Sequence, residues 1–368
     1  MKSRAAIAYE AGKPLVVEPI EVGAPGAGQV LIENRAAGLC HTDLSLIDSG
    51  YRGFPIIVGH EGVGVVLECG PGVTSVKPGD HVVTSSVPEC GTCPRCVSRR
   101  SNLCVKEDVT KFHPDGSPPS PHLRRLGGGP VRVLCQGATF SNHAVADEDL
   151  VAPIPAEIPL HVASVLSCAV ITGMGAALFS ADVQQGSTVV VFGLGGVGLN
   201  VLDGARLAGA TRIIGVDTNP SKVEVARRFG LTDFIDARRG GSEILAAVQA
   251  MTAGGADYSF ECVGDSKVAE LAVEASHPNW GKTVLVGSPG GPEPMHLPIR
   301  SFMLGRSVVG SLLGDAKPRT DMARIAQWYV EGKLATDHLI SHRLPFAAIN
   351  DGFDLMRRGE SIRAIVEY

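Results

Sequence analysis

The sequence predicts an α/β protein with a β-rich domain followed by a doubly wound parallel sheet. Residues 5–85 read as short apolar strands separated by the turns PGAG, GPGV and KPGD, at intervals typical of a barrel-like β domain. From Thr188 onward, buried strands alternate with helical segments, which is typical of a parallel sheet. The 368 residues, 44% of them hydrophobic, are enough for two domain cores.

The overall charge excludes some classes of partner. The formal net charge is −5 and 19% of the residues are charged, so no basic stripe for nucleic acid and no polybasic membrane anchor is present. Two early cations in MKSRAAIAYEAGKP are followed by no apolar signal-type segment. We therefore expect a cytoplasmic protein.

Residues 161–181, HVASVLSCAVITGMGAALFSA, are uncharged when the histidine is neutral and are long enough to cross a bilayer. The stretch is interrupted by Ser, Thr, Cys and Gly and has no flanking aromatic residues. It predicts a buried helix of small residues and no membrane span.

The stretch from Cys40 to Glu61 concentrates metal-binding chemistry. It contains one thiol, two imidazoles and three carboxylates, and among them Cys40, His60, Asp43 and Glu61 are candidate zinc ligands with their usual supporting acids. Cys40 and His60 supply two of the three protein ligands that a catalytic zinc needs. The third ligand must come from elsewhere in the chain.

Four of the nine cysteines follow the spacing C-x2-C-x2-C-x7-C, which favours a closed tetrahedral structural zinc site. An iron–sulfur cluster and unligated cysteines are the alternatives. The other isolated cysteines, apart from Cys40 and Cys168, are interpreted as small buried hydrophobic residues: Cys69, Cys135 and Cys262. The four cysteines of this lobe are Cys90, Cys93, Cys96 and Cys104.

The polar, Pro/Gly-rich stretch 105–131 is interpreted as a surface loop.

Further along, TVVVFGLGGVG is a strand that ends in G-x-G-x-x-G at Gly193, Gly195 and Gly198, and a helix follows it. Asp217 ends the next strand, where a carboxylate can accept ribose hydroxyls and repel a 2′-phosphate. The motif predicts dinucleotide binding with NAD over NADP; a plain glycine turn, and a helix N-cap at Asp217, are the alternatives.

Seven motifs together resemble the zinc-containing medium-chain alcohol dehydrogenases, in particular the class III S-(hydroxymethyl)glutathione dehydrogenases. They are GLCHTD, GHEGVGVV, the four-cysteine lobe, FGLGGVGLN, VDTNPSKVEVARRFG, FECVG and FDLMRRGESIRAIVEY. The resemblance implies a GroES-like catalytic domain at 1–169, with the lobe at 90–104, and a Rossmann coenzyme domain at 170–312. Residues 313–368 would return to the catalytic domain.

The same resemblance implies two zinc ions per chain and Cys168 as the third catalytic ligand, although a small core residue is its simplest alternative. Asp43 would orient His60, and Glu61 would lie behind the metal; either is alternatively a turn acid. Zinc would act as a Lewis acid on the substrate oxygen while hydride passes to the nicotinamide. Thr42 would relay the proton, with Ser45 where many relatives have histidine.

Further coenzyme contacts are implied by position. Most of them have an ordinary alternative as a solvated charge or a core contact. They are His41 for the pyrophosphate, Gly196 in the glycine loop, Thr172 and Val197 for the nicotinamide, Lys222 for the adenosine ribose and Arg363 for a phosphate.

The chain departs from class III near the substrate. Acidic residues usual before FP are replaced by Gly50, Tyr51, Arg52 and Gly53, and the segment after the lobe is shortened, with only Lys106 or Lys111 near the place of an anion-binding arginine. We expect an alcohol or aldehyde substrate, primary and aromatic or medium-chain. The thiol adduct, and a non-catalytic dinucleotide-binding protein, are the alternatives.

Residues 301–313, SFMLGRSVVGSLL, are apolar enough to pair across a two-fold axis, as the family precedent of dimers and tetramers implies. A buried strand within the monomer is the alternative. A homodimer or homotetramer is expected.

Overall fold

The computed structural model describes residues 1–50, 52–106, 119–288 and 293–368 and divides into two compact units. The second unit is Ala169–Ala316 with Lys333–Leu339. Residues 313–316 and 333–339, which the resemblance assigns to the returning segment, belong to this second unit. The first unit is Met1–Cys168, Lys317–Gly332 and Ile340–Tyr368.

The first unit contains a closed five-stranded barrel, in the order β1-β2-β7-β8-β4, and a seven-stranded sheet, in the order β10-β6-β5-β3-β18-β17 with β9 paired to β3. The barrel strands are β1 (Lys2–Ala8), β2 (Val16–Val22), β4 (Ile56–Ile57), β7 (Pro119–Arg125) and β8 (Pro130–Val133). The sheet strands are β3 (Gln29–Gly38), β5 (Glu61–Cys69), β6 (His81–Thr84), β9 (His143–Asp147), β10 (Val151–Pro153), β17 (His342–Pro345) and β18 (Ala364–Glu367).

The interpretation of 105–131 as an irregular loop is wrong where β7 and β8 form. These strands pair antiparallel and close the barrel, with β2 on one side and β4 on the other. Prolines at both strand starts hid the pattern, although proline is tolerated at the first residue of a strand. Residues 107–118 of that stretch, which include Lys111, lie outside the described residues.

Helices of the first unit are α1 (His41–Ser49), α2 (Pro94–Val97), α3 (Leu160–Ala163), α9 (Thr320–Val330) and α10 (Ile349–Arg357). The sequence analysis did not predict α1, which begins inside the presumed run of strands. Its signal is a capping box in which Asp43, three residues after the N-cap Cys40, accepts from the backbone N–H of Cys40.

The core of the first unit lies inside the barrel and under α10. Fully buried side chains such as Ile7, Ile20 and Ile57 belong to it. The rings of Phe140 and Phe353 meet edge to face, with centroids 5.9 Å apart. Burying apolar area of this kind is the main stabilising contribution. It fixes the returning helix α10 onto the barrel.

The second unit has a six-stranded parallel sheet in the order β13-β12-β11-β14-β15-β16, flanked by helices. This order is that of a doubly wound sheet, and the predicted fold class is confirmed. The strands are β11 (Thr188–Phe192), β12 (Arg212–Asp217), β13 (Asp233–Asp236), β14 (Tyr258–Glu261), β15 (Lys282–Leu285) and β16 (Ser307–Gly310). The helices are α4 (Ile171–Gly175), α5 (Gly196–Leu207), α6 (Val223–Arg228), α7 (Gly241–Met251) and α8 (Ser266–Ala275).

Within the described residues, one helix is long and apolar enough to cross a membrane, Leu160–Ala181. It combines α3 and α4 with π-helical turns at Leu166–Val170 and Ala176–Ala181. Of its most apolar window, 83% is buried inside the protein. Such burial is typical of a core helix.

Candidate functional site

Four metal-ligating side chains meet in the first unit. The sulfurs of Cys40 and Cys168, a ring nitrogen of His60 and a carboxylate oxygen of Glu61 all lie within 4.8 Å of one another. Cys40 precedes α1, His60 precedes β5, and Cys168 lies in a π-helical turn, a feature found often at functional sites. The structure thus brings the three predicted zinc ligands together, with Glu61 beside them.

Asp43 holds this cluster in place. One of its carboxylate oxygens accepts from the backbone N–H of Gly59 and from Nδ1 of His60, both at 3.0 Å, and the other accepts from the N–H of Cys40 at 3.2 Å. Because Nδ1 donates to an acceptor-only carboxylate, Nε2 of His60 is the nitrogen left for a metal. The predicted orienting partner of His60 is therefore in hydrogen-bond contact with it.

The electrostatics of the cluster suit a cation. The pKa of the Cys40 thiol is well below its usual value, chiefly because the Cys168 thiol donates to it and also because His60 lies beside it. That hydrogen bond raises the pKa of Cys168. Burial lowers the pKa of His60, but the effects of Asp43 and Cys40 together outweigh burial, and the net shift is upward. Two sulfurs and an imidazole nitrogen are the donor set of a catalytic zinc with an open fourth position.

Glu61 and Arg363 form a buried ion pair next to the cluster, with Nη1 of Arg363 2.9 Å from Oε1 of Glu61. The same Nη1 donates to the carbonyl of Leu39 at 2.7 Å. Burial raises the pKa of Glu61 to about 7, against the opposing effect of Arg363. Oε2 of Glu61 has no hydrogen-bond partner in the described chain, so it remains an available ligand atom.

Two glycines leave room for these groups. A Cβ at Gly38 would lie 2.1 Å from Oε2 of Glu61, so a side chain there would displace that carboxylate. Gly59, directly before His60, has φ of +95°, and a Cβ there would lie 2.6 Å from the hydroxyl oxygen of Thr139. Gly38 therefore leaves room for the Glu61 carboxylate where β3 pairs with β5, and Gly59 leaves room for Thr139 beside His60.

The four-cysteine lobe is also assembled. All four cysteines are free of disulfides and their sulfurs lie within 4.8 Å of one another. The sulfurs of Cys90 and Cys96, and those of Cys93 and Cys104, are 3.9 Å apart. Four thiolates around one zinc at about 2.3 Å would be separated by about 3.8 Å, so the lobe fits a closed tetrahedral site.

The lobe is anchored through its neighbour Glu89. Its carboxylate accepts from the backbone N–H groups of Arg319 and Thr320 at the start of α9. Lys106, at the other end of the lobe, forms an ion pair with Asp149. Lys106, which the sequence suggests as an anion contact, therefore already has a carboxylate partner.

In the second unit the glycine motif forms a tight turn between β11 and α5. Gly193 has φ of +90°, and a Cβ at Gly198 would lie 1.8 Å from the carbonyl oxygen of Gly193. Gly195 is the N-cap of α5 and faces open space, and Gly196 is the first residue of the helix. A helix N-terminus next to open space is a ready site for a pyrophosphate.

Asp217 is buried at the end of β12. Its Oδ2 accepts from the backbone N–H of Leu194 at 2.7 Å and from Nζ of Lys222 at 2.9 Å. Its Oδ1 accepts from the N–H of Asn219 at 2.8 Å. The two predicted ribose contacts, Asp217 and Lys222, are thus brought together beside the glycine loop, and the carboxylate also supports that loop.

The remaining predicted site residues are distributed between the units. His41 and Ser45 are exposed and Thr42 is half-buried, all on the first turns of α1. Thr172 on α4 and Val197 on α5 are half-buried in the second unit, where Gly173 lets the two helices approach. Their contacts with a coenzyme stay predictions.

Sequence reasoning missed the partnership of Glu61 with Arg363, and it assigned Arg363 to a coenzyme phosphate. The guanidinium is buried on the Glu61 carboxylate, and its phosphate contact stays a prediction. A signal was available, because a carboxylate in the apolar strand EGVGVV needs a cation when buried, and ESIRAIV offers one.

The chain matches two family models. Residues 26–156 match the alcohol dehydrogenase GroES-like domain, and residues 196–331 match the zinc-binding dehydrogenase family. The chain is 44% identical over 380 residues to the class-3 alcohol dehydrogenase of Cereibacter sphaeroides, with 100% of both chains covered. It is also 44% identical over 381 residues to the S-(hydroxymethyl)glutathione dehydrogenase of Paracoccus denitrificans, again with full coverage of both.

Among solved structures, the chain is similar to the benzyl alcohol dehydrogenase of Acinetobacter calcoaceticus. The TM-score is 0.91 at 28% identity, covering 100% of this chain and 99% of that one. These similarities confirm the predicted resemblance and the predicted combination of a GroES-like and a Rossmann-type fold.

Proposed function

This chain belongs to the zinc-binding alcohol dehydrogenase family, and from that premise we propose that it oxidises primary alcohols, aromatic or medium-chain, with NAD. It is an oxidoreductase with zinc and NAD as cofactors, which sets aside the alternative of a non-catalytic dinucleotide-binding protein. Its partner is a small-molecule alcohol or aldehyde. The cytoplasmic location stays a prediction.

The cluster in the first unit carries the proposal. Cys40, His60 and Cys168 would hold the catalytic zinc, and the lobe at 90–104 the structural one. When bound, zinc supplies Lewis acidity at the substrate oxygen and NAD accepts the hydride. The first unit is then the catalytic domain, and the second unit, with Gly193–Gly198 and Asp217, is the coenzyme domain.

The protein's own groups would move the proton. The hydroxyl of Thr42 follows Cys40 by two residues and can take the substrate proton and pass it on. Ser45, one helical turn further on α1, is exposed to solvent and its hydroxyl can exchange with water. Unlike a histidine, a serine hydroxyl cannot store a proton near neutral pH, so release depends on water.

The substrate proposal is based on the segment before Pro55. Where class III members have acids, this chain has Gly50, Arg52 and Gly53 together with Tyr51, which lies outside the described residues. The benzyl alcohol dehydrogenase with a TM-score of 0.91 supports an alcohol substrate. The 44% identity to an S-(hydroxymethyl)glutathione dehydrogenase favours the thiol adduct as the second candidate.

The edge strand β16 of the parallel sheet is the basis for proposing an oligomer. Within the described chain, β16 pairs with β15 and has no strand on its other side. The segment leading to it exposes Ile299, Met303 and Leu304, which are 83%, 76% and 70% exposed. An exposed edge beside an apolar patch suits pairing across a two-fold axis, so we propose a homodimer or homotetramer.

Metal analysis of the purified protein is expected to find two zinc ions per chain. Cys168→Ser should retain about one, because it removes a ligand from the open site only, and Cys96→Ser should lose the other. Cys69→Ser is the control, since the thiol of Cys69 contacts only the carbonyl of Val76 at 3.6 Å among the described hydrogen bonds. Two zinc ions retained in Cys168→Ser would refute the ligand assignment.

Asp217→Gly should lower the ratio of kcat/KM with NAD to that with NADP by about tenfold or more, because the carboxylate that accepts ribose hydroxyls and repels a 2′-phosphate is gone. The matched control is Asp236→Asn, since Asp236 pairs in register with Asp217 at the end of the neighbouring strand. Steady-state kinetics with both coenzymes measure the ratio. An unchanged ratio in Asp217→Gly would remove the assignment.

Substrate choice is expected to favour simple alcohols. We expect kcat/KM for benzyl alcohol or hexan-1-ol to exceed that for S-(hydroxymethyl)glutathione, because the acidic residues before Pro55 are missing. Parallel initial-rate measurements with NAD decide it. A strong preference for the thiol adduct would transfer the proposal to the second candidate while leaving the family assignment intact.

Replacing the exposed apolar residues before β16 should dissociate the oligomer. Met303→Glu combined with Leu304→Glu places two charges in the proposed interface and should shift sedimentation toward the monomer. Leu126→Glu is the control, because Leu126 is 47% exposed and belongs to the connection between β7 and β8, not to the segment before β16. A wild-type protein that sediments as a monomer at micromolar concentration would refute the proposed assembly.

A further inference from the structure

Glu261, the last residue of β14, is a buried carboxylate that the catalytic proposal leaves without a role. It is 2% exposed. Its Oε1 accepts from the backbone N–H groups of Val263 and Gly264 at 2.6 and 2.7 Å. Burial raises its pKa while these backbone donors oppose the shift. One side-chain oxygen therefore holds the turn that follows β14.

That turn lies against the glycine loop. Phe192 and Glu261 are register partners in the parallel pair β11 and β14, and the N–H of Cys262 donates to the carbonyl of Phe192 at 2.9 Å. A Cβ at Gly193 would lie 2.7 Å from Cγ2 of Val263. No space remains between the turn and the first glycine of the motif, so a displaced turn would displace the loop.

The other side of the turn is equally tight. Gly264 has φ of +88°, and a Cβ there would lie 2.2 Å from the carbonyl oxygen of Ser288. A Cβ at Gly287 would lie 2.2 Å from the backbone nitrogen of Gly264 and 2.6 Å from Oε2 of Glu261. The loops after β11, β14 and β15 are therefore packed backbone to backbone around this carboxylate.

The arrangement mirrors that on the other side of the glycine loop. There the Asp217 carboxylate accepts from the N–H of Leu194, so a strand-end acid supports the loop from β12 as well. The loop between Gly193 and Gly195 is flanked by two turns, each held by a buried carboxylate. In doubly wound sheets this carboxyl edge of the strands is where ligands bind.

We propose that Glu261 is a positioning residue for the coenzyme, which fixes the 262–264 turn against Gly193 and so keeps the glycine loop shaped for a pyrophosphate. The inference rests on the proposed NAD-dependent function and adds a residue that acts through the backbone, without itself contacting the coenzyme. Its effect is on coenzyme affinity.

The test is equilibrium binding of NADH, followed by its fluorescence, to the full-length zinc-loaded protein and its variants. Glu261→Ala should raise the Kd for NADH about tenfold, because two backbone donors lose a charged acceptor. Glu261→Gln retains an oxygen at the Oε1 position and should stay within about threefold of the unmodified protein. Glu261→Met fills a similar volume without an oxygen acceptor, so its Kd should rise as in Glu261→Ala, whereas a residue that merely filled space would tolerate this change.

Asp257 provides the matched control, since it immediately precedes the same strand β14 at its opposite end. Its Oδ2 accepts from the backbone N–H and the hydroxyl of Thr188 at 2.8 and 2.9 Å. Asp257→Ala should lower the Tm while leaving the Kd for NADH within about twofold. Loss of stability is thereby separated from loss of coenzyme affinity.

An unchanged Kd for NADH in Glu261→Ala would overturn the inference, and so would an equal rise of the Kd in Asp257→Ala. In either case, NADH binding by the unmodified protein would still support the proposed function. If the unmodified protein does not bind NADH, the proposed function fails and the inference falls with it. If Glu261→Ala does not fold, Glu261→Asp serves instead. The aspartate carboxylate is one methylene too short to reach both amides, so the Kd of this variant for NADH should also rise. An unchanged Kd would refute the inference.

Discussion

The hydrogen bonds accepted by the carboxylate of Asp43 are the interactions on which the cluster of Cys40, His60, Glu61 and Cys168 depends. The carboxylate joins the N-terminus of α1 to the residue before β5 by accepting from Cys40, Gly59 and His60. Each donor belongs to a proposed zinc ligand or its neighbour, so the carboxylate sets the positions of a sulfur and an imidazole at once. Because Asp43 is fully buried, water does not compete for these hydrogen bonds.

Asp43 and Glu61, the two acids of the cluster region, carry the same functional group but have different hydrogen-bond partners. Asp43 has three donors shared between its oxygens, whereas Glu61 has Arg363 on one oxygen and no described partner on the other. The pKa of Glu61 is accordingly raised to about 7, since burial outweighs the single ion pair. The oxygens of Asp43 are occupied by the hydrogen bonds that hold the cluster. Glu61 has one oxygen without a described partner, so its protonation can change with the charge beside it.

Local sequence patterns predicted the parts of the site that are close along the chain. The spacing from Cys90 to Cys104 predicted the assembled lobe, and the strand before Gly193 with its glycine spacing predicted the turn into α5. Cys168 required the family resemblance, because 108 residues separate it from His60 and no local period connects them. The π-helical turn that presents its sulfur has no signature in LSCAVITG.

What the sequence did not reveal was set by distant contacts. Glu61 and Arg363 are 302 residues apart, and neither position alone says which cation meets which acid. Helix α1 is not predicted because its capping acid, Asp43, is interpreted from sequence as a zinc-supporting group or a turn acid, and not as part of a capping box. The hairpin of β7 and β8 begins at prolines and is held by strands from the start of the chain, so its own residues favour a loop.

The same hydrogen-bonding arrangement occurs in both units. Asp43, Asp217 and Glu261 are buried acids that accept hydrogen bonds from backbone N–H groups next to the proposed zinc ligands or a glycine-rich turn. Turns that must approach a ligand closely consist largely of glycine and carry few side chains that could fix their shape. A buried carboxylate provides strong acceptors for their unpaired N–H groups without occupying the space that the ligand needs. The shape of these turns is therefore held by carboxylates placed behind them, which explains why a buried acid lies beside both the proposed zinc ligands and the glycine loop.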